Sequence, residues 1–159
     1  MIIAIDGPAG SGKSTTAKEV ASQLNIMHLD TGAMYRAVAL YLIENKILNL
    51  DMLTSLEWNE ILSNIDIKFS FNSNQILLNG NDVSRRIRET EVSEFVSEVS
   101  AVSIVREKMV NLQREIAAGN NVVLEGRDIG TRVFPNADFK FFLNADVKVR
   151  GKRRYKELV

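Results

Sequence analysis

Residues 7–14 read Gly-Pro-Ala-Gly-Ser-Gly-Lys-Ser, the pattern G-x-x-x-x-G-K-[ST]. That spacing suits a polyphosphate. Glycines let the backbone wrap an anion so that successive N–H groups point inward, and the N-terminus of a following helix adds its positive end. Lys13 is expected to reach the β- and γ-phosphates, and the Ser14 hydroxyl to ligate Mg²⁺. The plainer reading is a Gly-rich turn in which Ser14 or Thr15 merely caps a helix. Against it stands the context: the motif lies between a buried-strand signal, Ile2 to Asp6, and helix-forming composition from Ser14 to Leu24. Binding of a nucleoside triphosphate is expected, through Gly7, Pro8, Ala9, Gly10, Ser11, Gly12, Lys13, Ser14 and Thr15.

Two further segments carry side chains suited to an acceptor. Asp30-Thr31-Gly32-Ala33-Met34-Tyr35-Arg36 follows a second strand signal, and Glu125-Gly126-Arg127-Asp128-Ile129-Gly130-Thr131 follows a third. Ligands of open parallel sheets sit beyond the carboxyl ends of the strands, where both segments would lie. Glu125 stands where an acid could orient Mg²⁺ through water, the alternative being a loop salt bridge. Arg36, Arg106 and Arg127 suit an anionic acceptor, because a guanidinium fork matches phosphate oxygens bidentately. A guanine-reading Asn-Lys-x-Asp is missing: the only Asn-Lys, at 45–46, is followed by Ile-Leu. A GTPase is therefore not expected, whereas a small-molecule kinase is.

Alternating elements would hold these residues. After Ile2–Asp6 and the turn at 7–13 come a helix to Leu24, in which Thr16 and Glu19 have capping-box spacing unless the helix begins a turn earlier, and a brief strand, Met27–Asp30. A helix from Thr31 to Lys46 would place Met34, Val38, Tyr41 and Leu42 on one face. Residues 66–71 alternate with period two, Asn72-Ser73-Asn74 reads as a turn and Gln75–Asn79 as a returning strand, so 63–88 is expected to be a small antiparallel insert. Helices follow over 89–118, the second with an apolar stripe of Val105, Met109, Leu112 and Ile116, and Gly119 as its stop. Val122–Leu124 and Phe139–Leu143 read as strands around a polar loop, 125–136, and 146–158 as a basic helix. The order β-α-β-α implies an α/β fold with a parallel sheet flanked by helices.

Composition narrows the chemistry. The chain has 159 residues, 45% hydrophobic and 25% charged, an ordinary globular balance for one domain. It has no cysteine, which excludes disulfides, thiol chemistry and cysteine-ligated metal and fits a reducing cytoplasm. His28, the single histidine, excludes a multi-histidine metal site and is read as structural. Twenty basic and twenty acidic residues cancel, so no global field favours nucleic acid or membrane. The start, Met1 to Gly7, has no basic stretch and reaches a charge at Asp6, so no signal peptide is expected; with no apolar run near ~18 residues, a soluble cytoplasmic monomer is expected.

The motifs Gly7 to Thr15, Leu29 to Ala37 and Glu125 to Pro135 together resemble the bacterial cytidylate kinase family. Leu78-Asn79-Gly80-Asn81-Asp82-Val83-Ser84 to Ile87-Arg88, then Glu91-Val92-Ser93, resembles that family's enlarged nucleotide-binding insert. An adenylate kinase would have Thr-Gly-Asp in place of Thr-Gly-Ala-Met-Tyr-Arg. The resemblance covers the whole chain and implies a P-loop NTPase-type core over 1–159, with a monophosphate-binding insert over about 31–120. It implies transfer of the ATP γ-phosphoryl to CMP and dCMP, and less well to UMP, with Mg²⁺ accompanying ATP. It assigns Arg36 and Arg127 to the acceptor phosphate, Ser97, Arg106 and Asp128 to cytosine, and Asp30 and Thr31 to the acceptor-side loop, Thr31 replacing the more usual serine. Lys13 and Arg127 are the expected catalytic residues. The family continues beyond the position of Val159 into a lid, so an incomplete core that turns over poorly is expected. Two other readings remain, a P-loop kinase acting on a different acceptor and a nucleotide-binding module without catalysis.

Overall fold

In the computed structural model, residues 1–70 and 75–158 are described. Strand β1 (Ile2–Asp6) forms from the β-branched run, with all but Ile2 buried. Helix α1 (Lys13–Leu24) follows the glycine turn and starts at Gly12, a left-handed cap with φ 95°. Its start is a full turn ahead of Thr16, whose N–H donates to the Gly12 carbonyl at 3.0 Å. Thr16 is thus interior, and the Thr16/Glu19 spacing caps nothing.

Strand β2 (Met27–Asp30) leads directly into α2 (Thr31–Glu44). Met34, Val38 and Leu42 are buried as the spacing requires, with Tyr41 half-buried. The helix stops two residues short of Lys46, which takes φ 59°, so that Lys46 N–H bonds Ile43 O and Ile47 N–H bonds Leu42 O. This is the double closure of a Schellman end.

The next helix, α3 (Ser55–Ser63), goes beyond the sequence reading. Its signal is nevertheless local: Thr54 and Glu57 form a reciprocal capping box, and Trp58 and Leu62 are buried one turn apart. Strands β3 (Ile67–Phe69), β4 (Ile76–Leu78) and β5 (Asn81–Asp82) make an antiparallel sheet in that order. The β5 strand is an addition to the expected pair. The turn read at Asn72-Ser73-Asn74, together with Phe71, lies outside the described residues.

Helices α4 (Thr90–Ala101) and α5 (Ser103–Ala117) are separated at Val102. On α5 the fully buried line runs through Val105, Met109, Gln113 and Ala117, while Leu112 and Ile116 are only half-buried. Strand β6 (Val122–Gly126) extends past Leu124 because β1 supplies a parallel partner for every residue, from Ile2 opposite Val122 to Asp6 opposite Gly126. Glu125 is therefore inside the strand, and the segment after it holds a single π-helical turn, Ile129–Val133. Strand β7 (Phe139–Phe142) and helix α6 (Val147–Leu158) complete the described chain.

The chain divides into two compact units, Met1–Thr31 with Gln113–Val159, and Gly32–Leu112. The first contains a parallel four-stranded sheet in the order β2-β6-β1-β7. Val123 and Ile3 are register partners, as are Glu125 and Ile5, so their side chains share one face of the sheet. Ile3, Ile5 and Val123 pack there with Ala17 and Ala21, so α1 covers that face. At the sheet's edge, β7 presents Phe139, Phe141 and Phe142 at 51%, 53% and 70% exposure. The second unit contains α3, the antiparallel sheet and α4.

Candidate active site

Within the first unit, three parallel strands end side by side on Asp6, Asp30 and Gly126. The loop after β1 folds tightly over itself. Ser11 N–H donates to Pro8 O at 3.3 Å, and Lys13 Nζ reaches the same carbonyl at 3.2 Å. Gly10 adopts φ 73°, and a Cβ there would stand 2.8 Å from the Arg150 carbonyl oxygen, so glycine is required on both grounds. The Ser11 hydroxyl is buried without a hydrogen-bond partner. A glycine cradle around an unsatisfied hydroxyl, closed by a lysine at a helix N-terminus, suits the oxygens of a phosphate chain.

Beneath the first turn of α1 lies Glu125, 1% exposed. Its Oε2 accepts from the Ser14 hydroxyl at 2.5 Å, and its Oε1 lies 2.7 Å from His28 Nε2. Its backbone carbonyl accepts from Thr31 Oγ1, also at 2.7 Å. Among the described residues no three His, Cys, Asp or Glu side chains gather into a metal cage. Mg²⁺ rarely uses one: it favours one or two oxygen ligands from protein, substrate phosphates and retained waters. A hydroxyl backed by a buried carboxylate beside a phosphate cradle fits that preference.

Asp6 supplies a second buried carboxylate, absent from the sequence reading of the site. Its two oxygens accept from Ile129 N–H and Gly130 N–H, each at 2.8 Å. These bonds fix the segment that carries Arg127, which is exposed, and Asp128, which is half-buried. The Asp128 carbonyl in turn accepts from Arg132 N–H at 2.9 Å, opening the π-helical turn. Gly126 is equally constrained, since a Cβ there would fall 2.8 Å from Thr31 Oγ1. From α6, Arg153 Nη1 donates to the Gly10 carbonyl at 3.0 Å. The basic helix therefore touches the phosphate loop directly.

In the second unit, Arg36 lies on α2, half-buried, with Nη1 donating to Ser93 Oγ at 2.8 Å and to Ile87 O at 3.3 Å. Ser97 is exposed one turn beyond Ser93 on α4, a spacing that puts both hydroxyls on one helix face. Arg106 is half-buried on α5. Ser93 is a neighbour of Arg36 that sequence reasoning did not single out, and so is Arg153 for the phosphate loop. Neither had a local signal, since each depends on a partner distant in the chain.

The cytidylate kinase family profile matches residues 3–159. A cytidylate kinase from Fusobacterium nucleatum is 51% identical over 159 residues, covering 100% of this chain and 71% of the relative. One from Clostridioides difficile is 50% identical over 158 residues, covering 99% of this chain and 71% of the relative. A bifunctional pantoate ligase/cytidylate kinase from Prochlorococcus marinus is 49% identical over 160 residues, covering 99% of this chain and 31% of that longer protein.

Proposed function

The chain belongs to the cytidylate kinase family, and from that membership we propose that it transfers the γ-phosphoryl group of ATP to CMP and dCMP. The observation that carries the reading is the hydrogen bond from Ser14 to the buried Glu125 carboxylate beside the glycine cradle. It joins a phosphate site and a hard-cation site in one place.

In this proposal residues 7–15 hold the triphosphate. Lys13 neutralises charge on the β- and γ-phosphates, and Mg²⁺ would be held by the Ser14 hydroxyl, with Glu125 orienting its water. When bound, that ion supplies electrostatic stabilisation of the transferring group. On the first unit Asp30, Thr31, Arg127 and Asp128 serve the acceptor, and on the second Arg36, Ser97 and Arg106. The arginines at 36 and 127 take the acceptor phosphate. Asp128 accepts from the cytosine N4 amino group, while Ser97 and Arg106 donate to O2 and N3. The monophosphate-binding insert proposed over about 31–120 takes in the unit Gly32–Leu112.

A general base is unnecessary. A phosphate monoester has a second pKa of about 6, so the attacking oxygen is already largely ionised at neutral pH. Catalysis then consists of in-line positioning and charge neutralisation. No helix among the described residues is long and apolar enough to cross a membrane. We place the activity in the cytoplasm, to which the absence of cysteine is suited.

The test is the melting-temperature shift with CMP, AMP and UMP, each alone at saturation. Ligand at about a hundred times its Kd stabilises the fold by ~2.7 kcal/mol. A shift with CMP and little with AMP is expected. An AMP preference would replace the acceptor, and no shift with any monophosphate would leave only a phosphate-binding core.

A further inference from the structure

We propose that His28, which the phosphotransfer reading leaves without a role, is a positioning residue for the cation side of the phosphate site. Its Nε2 donates to Glu125 Oε1 at 2.7 Å, and so keeps Oε2 of the same carboxylate on the Ser14 hydroxyl at 2.5 Å. The inference rests on the reading of residues 7–15 as a Mg²⁺·ATP site.

The geometry leaves Glu125 few choices. Its side chain is 2% exposed and that of His28 6%, so water does not supply the missing donors. A carboxylate only accepts, and a buried one needs its oxygens satisfied. Here one oxygen is taken from β2 and the other from α1, two elements on the same unit, so the acid is held between them. Because a carboxylate only accepts, the ring nitrogen that faces it must donate, which assigns an N–H to Nε2 of His28. The register explains how the ring reaches: His28 lies opposite Val123 and Asp30 opposite Glu125, so His28 shares a face with Glu125 and stands one pleat before it. A leucine or valine at position 28 would offer no donor, whereas the histidine makes a polar bond to the group that backs Ser14. Glu125 stands one step behind the Ser14 hydroxyl and His28 one step behind Glu125; outer partners of a metal ligand typically change metal affinity or activity 10–100-fold when removed.

Two measurements on the full chain test this without CMP, so their failure is distinct from failure of the CMP reading. The first is nitrogen-15 NMR of the imidazole, unambiguous because the chain has a single histidine. A slowly exchanging Nε2–H signal is expected, moving on Glu125→Gln and moving further with Mg²⁺·ATP than with ATP in excess EDTA. The second is the affinity for ATP, with and without Mg²⁺, in wild type, His28→Leu and His28→Gln. His28→Leu is expected to lower the Mg²⁺-dependent gain in ATP affinity by about 10–100-fold while leaving the Mg²⁺-free affinity within about twofold. His28→Gln, whose amide restores a donor, should recover most of that gain. A ring proton that exchanges freely and ignores Glu125→Gln overturns the proposal. So does a His28→Leu variant that keeps the whole Mg²⁺ increment, or one that loses Mg²⁺-free and Mg²⁺-bound affinity alike. If His28→Leu does not fold, the imidazole signal and His28→Gln decide.

Discussion

Replacing Asp6 with asparagine isolates what a buried carboxylate does at the end of β1. The side chain is 7% exposed and accepts two backbone N–H bonds of 2.8 Å, from Ile129 and Gly130. Asparagine keeps one acceptor oxygen but turns an NH₂ group toward the other backbone N–H. One charge-assisted bond, about 1.5–3 kcal/mol, is lost, and a backbone donor is left facing a second donor. The sum is a destabilisation of about 2–4 kcal/mol, or roughly 5–15 °C in melting temperature for a chain of this size. The consequence should reach binding as well, because the same two bonds hold the segment carrying Arg127 and Asp128. Urea unfolding at pH 7, with an unchanged m-value, reads the stability term. Trp58, the sole tryptophan, lies in the Gly32–Leu112 unit, so circular dichroism must accompany fluorescence. Thermal shift should show a diminished response to CMP and a retained response to ATP. An Asp6→Asn protein within ~0.5 kcal/mol of wild type, with its CMP response intact, would refute the argument that these two bonds hold the segment.

Three further outcomes follow from the same geometry. Lys13→Ala should cost several orders of magnitude in phosphoryl transfer while leaving the melting temperature within a few degrees, since Lys13 is only half-buried and its Nζ reaches a loop carbonyl, Pro8 O, rather than the apolar core; wild-type-like turnover would end the kinase assignment. Ser93→Ala should raise the KM for CMP several-fold with kcat little changed, because it removes the hydroxyl that Arg36 Nη1 contacts at 2.8 Å; steady-state kinetics separates the two constants. The Thr54 hydroxyl and N–H hold the Glu57 carboxyl below its ordinary 4.5, so this capping box stabilises α3 fully above that value and fades as pH falls through the lowered one. Thr54→Ala should therefore lower the melting temperature by a few degrees at pH 7 and flatten its acid limb below about pH 4.5, as a melting series from pH 7 to 3 would record.

Much of the site was legible because its residues are consecutive. Glycines at 7, 10 and 12 with Lys13 and Ser14 define a phosphate loop by local conformation alone, and the β-branched run before it declares its strand. Glu125 was readable as an acid near a strand end, though the ladder with β1 carries that strand two residues further than its apolar run suggests. Helix α3 was legible in principle through Thr54, Glu57, Trp58 and Leu62, but its short amphipathic stretch lies among residues whose pattern is weak. The extra strand β5 had no signal, being two exposed polar residues defined only by pairing with β4.

What the amino-acid sequence determined by itself was the set of local elements and the chemistry of the phosphate loop, because both depend on neighbours a few residues apart. Tertiary structure alone decided which donors meet the buried carboxylates. The order β2-β6-β1-β7 inserts β6 between β2 and β1, so Glu125 meets Ser14 across 111 residues and His28 across 97. Asp6 reaches Gly130 across 124. Pairings of that separation are set by parallel strand order and register rather than by periodicity, so a lone histidine in a strand and an aspartate ending another could not be matched to their partners until the sheet was assembled.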